Sequence, residues 1–276
     1  MNDQSPYIFI LDLDGTIIGD CTYQCDIYNI EYILKKNLIK NKTPNTLIKC
    51  YKKKSKLIRP YFSFFLKKMK NMFPNSLFYI YTASEKIWAN KEIQLIEKSH
   101  EIKFNRPLFT RDDCILGSDN LYKKSIKKIL PRILKSIKNK NCDIIKERIL
   151  VIDNNPRFID YNDNILSCPT YDYILFDNLW KNIPRESLKI KELKIIIKNL
   201  INSNRLCKIC NHNDNNMRQL EIIYEWLHEK HKSINRQNDK YNNDKFWKIL
   251  ANVIKKNNIT LFDKHNLRLL QKRISQ

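Results

Sequence analysis

Residues 7 to 20 read Tyr-Ile-Phe-Ile-Leu-Asp-Leu-Asp-Gly-Thr-Ile-Ile-Gly-Asp, an almost wholly apolar run that ends in two acids one residue apart. A short run of this kind reads as a buried strand over Ile8 to Leu11. An unpaired carboxylate inside a core must be neutralised or compensated, so the acids have to emerge where something uses them. Side chains in a strand alternate faces, so Asp12 and Asp14 point the same way while Leu13 returns to the core. Ligands of open α/β sheets bind beyond the carboxyl ends of the strands, and the run ends where such a site belongs. Gly15 lets the chain turn away at little steric cost, and Thr16 fixes that turn through its hydroxyl. An Asx-type turn capping a strand is the plain alternative for these five residues taken alone.

Strand-like and helix-like segments then alternate, which predicts an α/β fold with a mostly parallel central sheet. Pro60 opens a helix whose Phe62, Phe65, Leu66 and Met69 share one face. Ser76 to Tyr81 reads as a second strand, followed by a helix through Trp88, Ile93 and Ile96. Arg148 to Ile152 is a third strand, again ending in an acid, Asp153. A basic helix is expected over 184–201, after the aromatics Phe176 and Trp180. Two segments break the alternation. An insertion over 19–58 has helical apolar spacing (Ile27, Ile30, Leu34, Leu38) and a lysine-rich end at Lys52, Lys53, Lys54 and Lys56. A tail over 203–276 follows an Asn/Ser stretch and carries amphipathic runs at Leu220, Ile223, Tyr224 and Leu227, then at Phe246, Ile249, Leu250 and Val253. The expected division is a main domain over 1–202 and a small α-helical module over 203–276.

Paired carboxylates at a strand end suit one chemistry. The first can attack phosphorus and form an acyl-phosphate; the second can protonate the leaving oxygen and then activate water. Two anions repel an anionic phosphate, so a magnesium ion and a positive side chain are required. Both have candidates in chain order. The second strand ends in Tyr81-Thr82-Ala83-Ser84, placing a hydroxyl and backbone amides beside a phosphate oxygen. The third ends in Asp153-Asn154, oxygen ligands for a hard cation. Between them Asn120-Leu121-Tyr122-Lys123-Lys124 offers a lysine to the phosphate.

These residues resemble the haloacid dehalogenase superfamily of aspartate-nucleophile phosphatases. Within it they are similar to the branch of RNA polymerase II C-terminal-domain phosphatases, the FCP/SCP-like or NLI-interacting-factor-like group. The similarity rests on Arg59-Pro60-Tyr61 with Phe65-Leu66, on Thr82-Ala83-Ser84 with Trp88-Ala89, on Leu108-Phe109 through Cys114 to Lys123, on Asp153-Asn154-Asn155-Pro156 and on Phe176-Asp177-Asn178. It covers roughly residues 5–200. The resemblance implies a Rossmann-like haloacid dehalogenase fold and a magnesium-dependent protein serine/threonine phosphatase, with Asp12 as nucleophile and Asp14 as acid/base. It implies Thr82 and Lys123 on the phosphate, with Lys124 the alternative one residue away. Magnesium would be held by Asp12, Asp14 through its carbonyl, and Asn154, with Asp153 in support. The implied partner is a phosphorylated protein segment such as the polymerase C-terminal domain. Two features depart from the group: Gly15 stands where its members often carry Glu, and the insertion reads as helical where small members have a β-element.

Composition bears on partners and compartment. A formal net charge of +22 over 276 residues draws in anionic partners, nucleic acid included. It equally fits a lysine- and isoleucine-rich coding bias, because the lysines are scattered. A nucleic-acid 3'-phosphatase of the same superfamily is therefore the alternative enzyme. With three glycines there is no phosphate loop ending in Gly-Lys-Ser or Gly-Lys-Thr of the kind fused to many such enzymes. A non-catalytic binding scaffold is a second alternative, opposed by retention of both acids. No membrane span or signal segment is evident, so an intracellular location, nuclear or cytoplasmic, is expected, with the eight cysteines reduced. Cys207 and Cys210, with His228 and His231 on the following helix, could hold zinc; a pair of free thiols is the alternative.

Overall fold

The computed structural model describes residues 5–19, 57–137, 146–160, 164–174, 190–191, 195 and 236–274. The chain divides into two compact units, one of residues 1–19, 51–172 and 243–276, the other of residues 20–50 and 173–242. In the second unit, the Asn238 side chain brackets Ile174, accepting from its amide at 3.0 Å and donating to its carbonyl at 2.7 Å. The elements below belong to the first unit.

The opening run forms β1, Ile8–Leu11, every residue of it buried. It is flanked on both sides by parallel neighbours: β2, Leu77–Ile80, and β5, Ile149–Asp153. The third neighbour, β6, Ile165–Ser167, pairs with β5, giving the order β2-β1-β5-β6. This is the expected α/β class. Because Leu11 registers with both Ile80 and Ile152, the chain leaves three adjacent strands at one level. Asp12, Thr82 and Asp153 are thereby brought to one edge.

The two faces of β1 bury different partners. Ile8 and Ile10 join Tyr79, Tyr81, Ile149 and Val151 against Ile126, Ile129 and Ile133 of helix α3, Ile126–Ser136. Phe9 faces the opposite side, stacked on Phe78 at 4.9 Å between ring centres and edge-on to Phe65 at 6.0 Å. Phe65 lies on helix α1, Phe62–Met72, whose buried residues are the four the spacing predicts: Phe62, Phe65, Leu66 and Met69. Helix α2, Lys86–His100, buries Ala89, Glu92, Ile93 and Ile96. A short hairpin of β3, Ile115–Leu116, and β4, Tyr122–Lys123, precedes α3.

Helices α4, Phe246–Lys256, and α5, Lys264–Ile274, belong to the first unit. Trp247 is fully buried against Phe62 and Phe65, at 5.1 and 4.7 Å between ring centres, and Phe262 sits 5.7 Å from Phe9. These rings join those of α1 on the aromatic face of the sheet. The buried stripe of α4 is Phe246, Trp247, Leu250, Ala251 and Ile254, while Ile249 of the expected stripe is 36% exposed. Of the expected helix over 184–201 only residues 190–191 and 195 are described, Lys191 and Ile195 as helix; the expected helix over Leu220–Leu227 and the insertion's helical run lie outside the described residues, as do Cys207, Cys210, His228 and His231.

Arg59 secures this attachment. Its guanidinium is 2% exposed and makes a two-pronged pair with Asp244, at 2.9 to 3.1 Å. It also donates to the Pro169 carbonyl at 2.7 Å and lies 4.4 Å from the Phe246 ring centre. Asp244 in turn accepts from the Phe246 amide at the start of α4. Removing one partner of a buried ion pair leaves the other charge unpaired, at a cost of about 3 to 5 kcal/mol, whereas replacing both with apolar groups can be nearly neutral. Asp244→Ala is therefore expected to lose stability on that scale in urea unfolding, and Asp244→Leu combined with Arg59→Met to recover most of it. A loss below about 1 kcal/mol for Asp244→Ala would mean that the pair is not what holds α4.

Candidate active site

The acids at the sheet's carboxyl edge line a pocket of about 340 Å³ with Thr82, Ser84, Arg111, Leu121, Tyr122, Lys124, Asn154 and Arg157. At its floor Lys124 Nζ lies 2.6 Å from Asp12 Oδ1 and 2.6 Å from Asp153 Oδ2. All three are under a tenth exposed. Strand alternation accounts for the meeting. Asp153 follows Ile149 and Val151 on the α3 side of β5, Asp12 continues the Ile8 and Ile10 side of β1, and Lys124 arrives from the residue pair that starts α3.

Lys124 thus replaces Lys123 at the site. Lys123 is the last residue of β4, registered with Ile115, and its ammonium pairs with Asp119 in the hairpin turn at 3.1 Å. Successive strand residues face opposite ways, so turning Lys123 outward turns Lys124 in. The backbone fixes the choice: the Lys124 amide donates to the Arg157 carbonyl at 2.8 Å, and its carbonyl accepts from Ile159 at 3.1 Å. The adjacent Asp160 accepts from the Ser125 hydroxyl and the Ile126 and Lys127 amides, closing the start of α3.

Asp14 is held differently. Its Oδ2 accepts from the Thr82 hydroxyl at 3.1 Å and from the Ser84 hydroxyl, while Oδ1 is buried without a partner. Thr82, expected on the phosphate, lines the pocket with its hydroxyl turned to Asp14 and accepts from the Ser84 amide at 3.1 Å. Thr16 joins the two strand ends, accepting from the Asn154 amide at 3.0 Å with its hydroxyl 3.4 Å from Asp12 Oδ2. Gly15 has φ of +74°, and a Cβ there would sit 2.5 Å from the Asn154 side chain. The close approach of β1's turn to Asn154 is why glycine stands at this position.

The side-chain amide of Asn154 directs one atom at the Asp14 carbonyl (3.0 Å), Asp12 Oδ2 (3.1 Å) and Thr16 Oγ1 (3.1 Å). As nitrogen, it donates to all three. As oxygen, it completes a convergence of carboxylate, carbonyl and amide oxygens, the donor set of a hard cation. Charge agrees with the second use. Asp12, Asp14 and Asp153 supply three carboxylates to the lining and Lys124 neutralises one. Burial pushes the Asp12 carboxyl up to about 7 against the pull of Lys124, with Asp153 and Asp14 adding repulsion. Burial opposes the Lys124 charge, yet Asp12 and Asp153 outweigh it and raise its pKa. The residues therefore fit a divalent cation.

Lys124 was the alternative to Lys123 in the sequence reading, whereas Ser84, Arg111 and Arg157 line the pocket without having been assigned there. Ser84 was readable two residues beyond Thr82, since both hydroxyls leave the same strand end. Arg111 donates to the Ala83 carbonyl at 2.8 Å, a contact across sequence that no local pattern announces.

A family described as NLI interacting factor-like phosphatases matches residues 7–200. A Dictyostelium discoideum protein named CTD small phosphatase-like protein 2 is 29% identical over 154 residues, which are 55% of this chain and 22% of that protein. The chain thus spans about a fifth of the length of that curated relative. Two solved structures are loosely similar. One is a variant of the fission yeast RNA polymerase II CTD phosphatase Fcp1 bound to beryllium fluoride, 17% identical, with TM-score 0.37 over 87% of this chain and 67% of that one. The other is Fcp1, described as an essential RNA polymerase II CTD phosphatase, 17% identical, with TM-score 0.39 over 92% and 67%. Among the described residues no helix is long and apolar enough to cross a membrane.

One buried acid sits behind this site. Glu92 of α2 is fully buried with both carboxyl oxygens unpartnered, and burial, with the Asp14 charge adding to it, pushes it from 4.5 up to about 8. An acid whose folded pKa exceeds its unfolded value binds more protons folded, so stability falls as pH rises between the two values. Wild type is expected to lose stability relative to Glu92→Gln from about pH 4.5 to about 8, with the gap constant above that. Thermal melts of both proteins across that window check this, and a gap independent of pH would mean that Glu92 is not held protonated.

Proposed function

This chain belongs to the NLI interacting factor-like phosphatase family, by class phosphoric monoester hydrolases, and we propose that it is a magnesium-dependent protein serine/threonine phosphatase working through an aspartyl-phosphate. The observation that carries this reading is the contact of Lys124 with both Asp12 and Asp153 on the floor of a pocket that Asp14 also lines.

In this reading Asp12 Oδ1 attacks phosphorus as the bond to the serine or threonine oxygen breaks. Asp14, oriented through Oδ2 by Thr82 and Ser84 with Oδ1 unpartnered, is the general acid to the leaving oxygen. The resulting carboxylate then takes a proton from water, which attacks phosphorus and releases Asp12 and orthophosphate. Lys124 neutralises charge on Asp12 and meets the phosphoryl oxygens. Magnesium would be held by Asp12, the Asp14 carbonyl and Asn154, and would supply positive charge to the transferring phosphoryl group. Asp153 fixes the Lys124 ammonium. The proposed substrate is a phosphorylated protein segment of the RNA polymerase II C-terminal-domain type, supported by the family match and by the name of the Dictyostelium relative.

Asp12→Asn is expected to abolish hydrolysis of an aryl phosphate while circular dichroism stays native, because an amide does not attack phosphorus. Lys124→Ala should cost about 10²-fold or more in kcat, whereas Lys123→Ala stays within about threefold, the scale of an exposed pair. The reverse ranking of the two lysines would overturn the assignment. A panel of phosphoserine peptides and 3'-phosphorylated oligonucleotides decides the substrate, and preference for the oligonucleotide would replace the protein-phosphatase reading with the nucleic-acid one.

The metal has its own readout. Manganese, an oxygen-seeking divalent ion, reports binding by electron paramagnetic resonance without turnover. Asn154→Ala is expected to weaken manganese binding clearly; unchanged binding would remove Asn154 from the ligand set.

A further inference from the structure

Among the described residues four cations stand at or beside the pocket, and three are committed. Lys124 is held by Asp12 and Asp153, and Lys123 by Asp119. Arg111 is tied to the Ala83 carbonyl and to Glu85, over the Tyr122 ring. Arg157 is exposed and lines the pocket, and among the described residues no acid pairs with it. Its position is nevertheless fixed by backbone. Its carbonyl accepts from the Lys124 amide, its own amide donates to the Asn155 carbonyl at 2.8 Å, and the next residue, Phe158, bridges Lys124 in parallel. A guanidinium with no acid partner among the described residues is thereby anchored one backbone hydrogen bond from the buried lysine.

We propose that Arg157 reads a second anionic group on the substrate, beside the phosphate being removed. This rests on the phosphatase reading and extends it to sequence preference. The reacting phosphate is to be met on the buried floor, where Lys124 and Asp12 are, whereas Arg157 stands exposed on the lining. Its flat, two-pronged donor set suits a carboxylate or a phosphate. The substrate class is accordingly a phosphoserine segment with glutamate, aspartate or a second phosphoserine next to the reacting residue.

Three phosphoserine peptides of equal length test this: one with neutral neighbours, one with a flanking glutamate, one with a second phosphoserine. Wild type is expected to favour the anionic peptides in kcat/KM by about fivefold at low salt, the scale of an exposed ion pair, and the advantage should shrink as salt rises. Arg157→Ala should erase the advantage, Arg157→Lys retain most of it and Arg157→Glu invert it. The glutamate and phosphoserine arms separate a carboxylate from a phosphate as the group read. Peptide binding to Asp12→Asn protein with and without Arg157→Ala, read by fluorescence anisotropy, gives the same comparison without turnover. A wild type indifferent to the flank, an Arg157→Ala variant that keeps the preference, or a loss as large on aryl phosphate as on the anionic peptides would each overturn the proposal. Aryl phosphate hydrolysis by wild type keeps the two readings apart: its absence defeats the phosphatase reading, whereas its presence with no flank preference defeats only the role of Arg157. A 3'-phosphorylated oligonucleotide that depends on Arg157 more than any peptide would also overturn it.

Discussion

Two carboxylates sharing one ammonium in a buried space are the constraint on which the rest of the site depends. Asp12 and Asp153 each lie 2.6 Å from Lys124 Nζ. Burial penalises every charged form in the group, and the attraction recovers that penalty only with close, well-directed contacts. Each partner is therefore fixed from a second direction. Asp153 Oδ1 accepts from the Asn155 amide at 2.7 Å, and Asp12 is approached on its other oxygen by Thr16. Lys124 lies near the rings of Tyr81 and Phe158, at 5.8 and 5.9 Å. Even so, negative charge exceeds positive on the floor. That surplus supports the proposed cation site at the oxygens around Asn154.

A single stretch, residues 153–160, organises this arrangement. Asp153 holds the Lys124 ammonium, Asn154 faces the turn after β1, Arg157 and Ile159 bond the Lys124 backbone, and Asp160 closes the start of α3. The stretch thus contacts the strand end of the proposed nucleophile, the lysine and the proposed metal oxygens together. Displacing it would disturb all three, which is a physical reason for a short, proline-containing turn directly after a buried strand.

What the sequence made legible follows from periodicity. The strands, the α1 face and the three strand ends could be read because apolar alternation and helical spacing are local signals. Lys124 could not be separated from Lys123, since a two-residue strand has no periodicity of its own. The outcome depends on a hairpin register with Ile115 and on bonds to Arg157 and Ile159, contacts distant in sequence. The α4 stripe was displaced for a related reason. Several apolar positions on that helix serve equally well by spacing, and burial went to the side bearing Trp247, whose ring the α1 phenylalanines receive.

The same reasoning separates a family boundary from a folding boundary. The family match ends at residue 200, and the Asn/Ser stretch beyond it reads as a linker. Yet Trp247 and Phe262 are fully buried in the first unit, and the side chain of Gln271 donates to the Ser167 carbonyl of β6 at 3.0 Å. Arg59, from the Arg-Pro approach to α1, reaches Asp244 before α4 and Pro169 after β6. Two residues beyond Pro169, the Tyr171 amide donates to the Gly15 carbonyl in the turn that carries the acids. A buried arginine is thus linked by hydrogen bonds to the start of α4 and, by way of residues 169–171, to the turn that carries Asp12 and Asp14. Those helices therefore belong to the structure that positions Asp12 and Asp14.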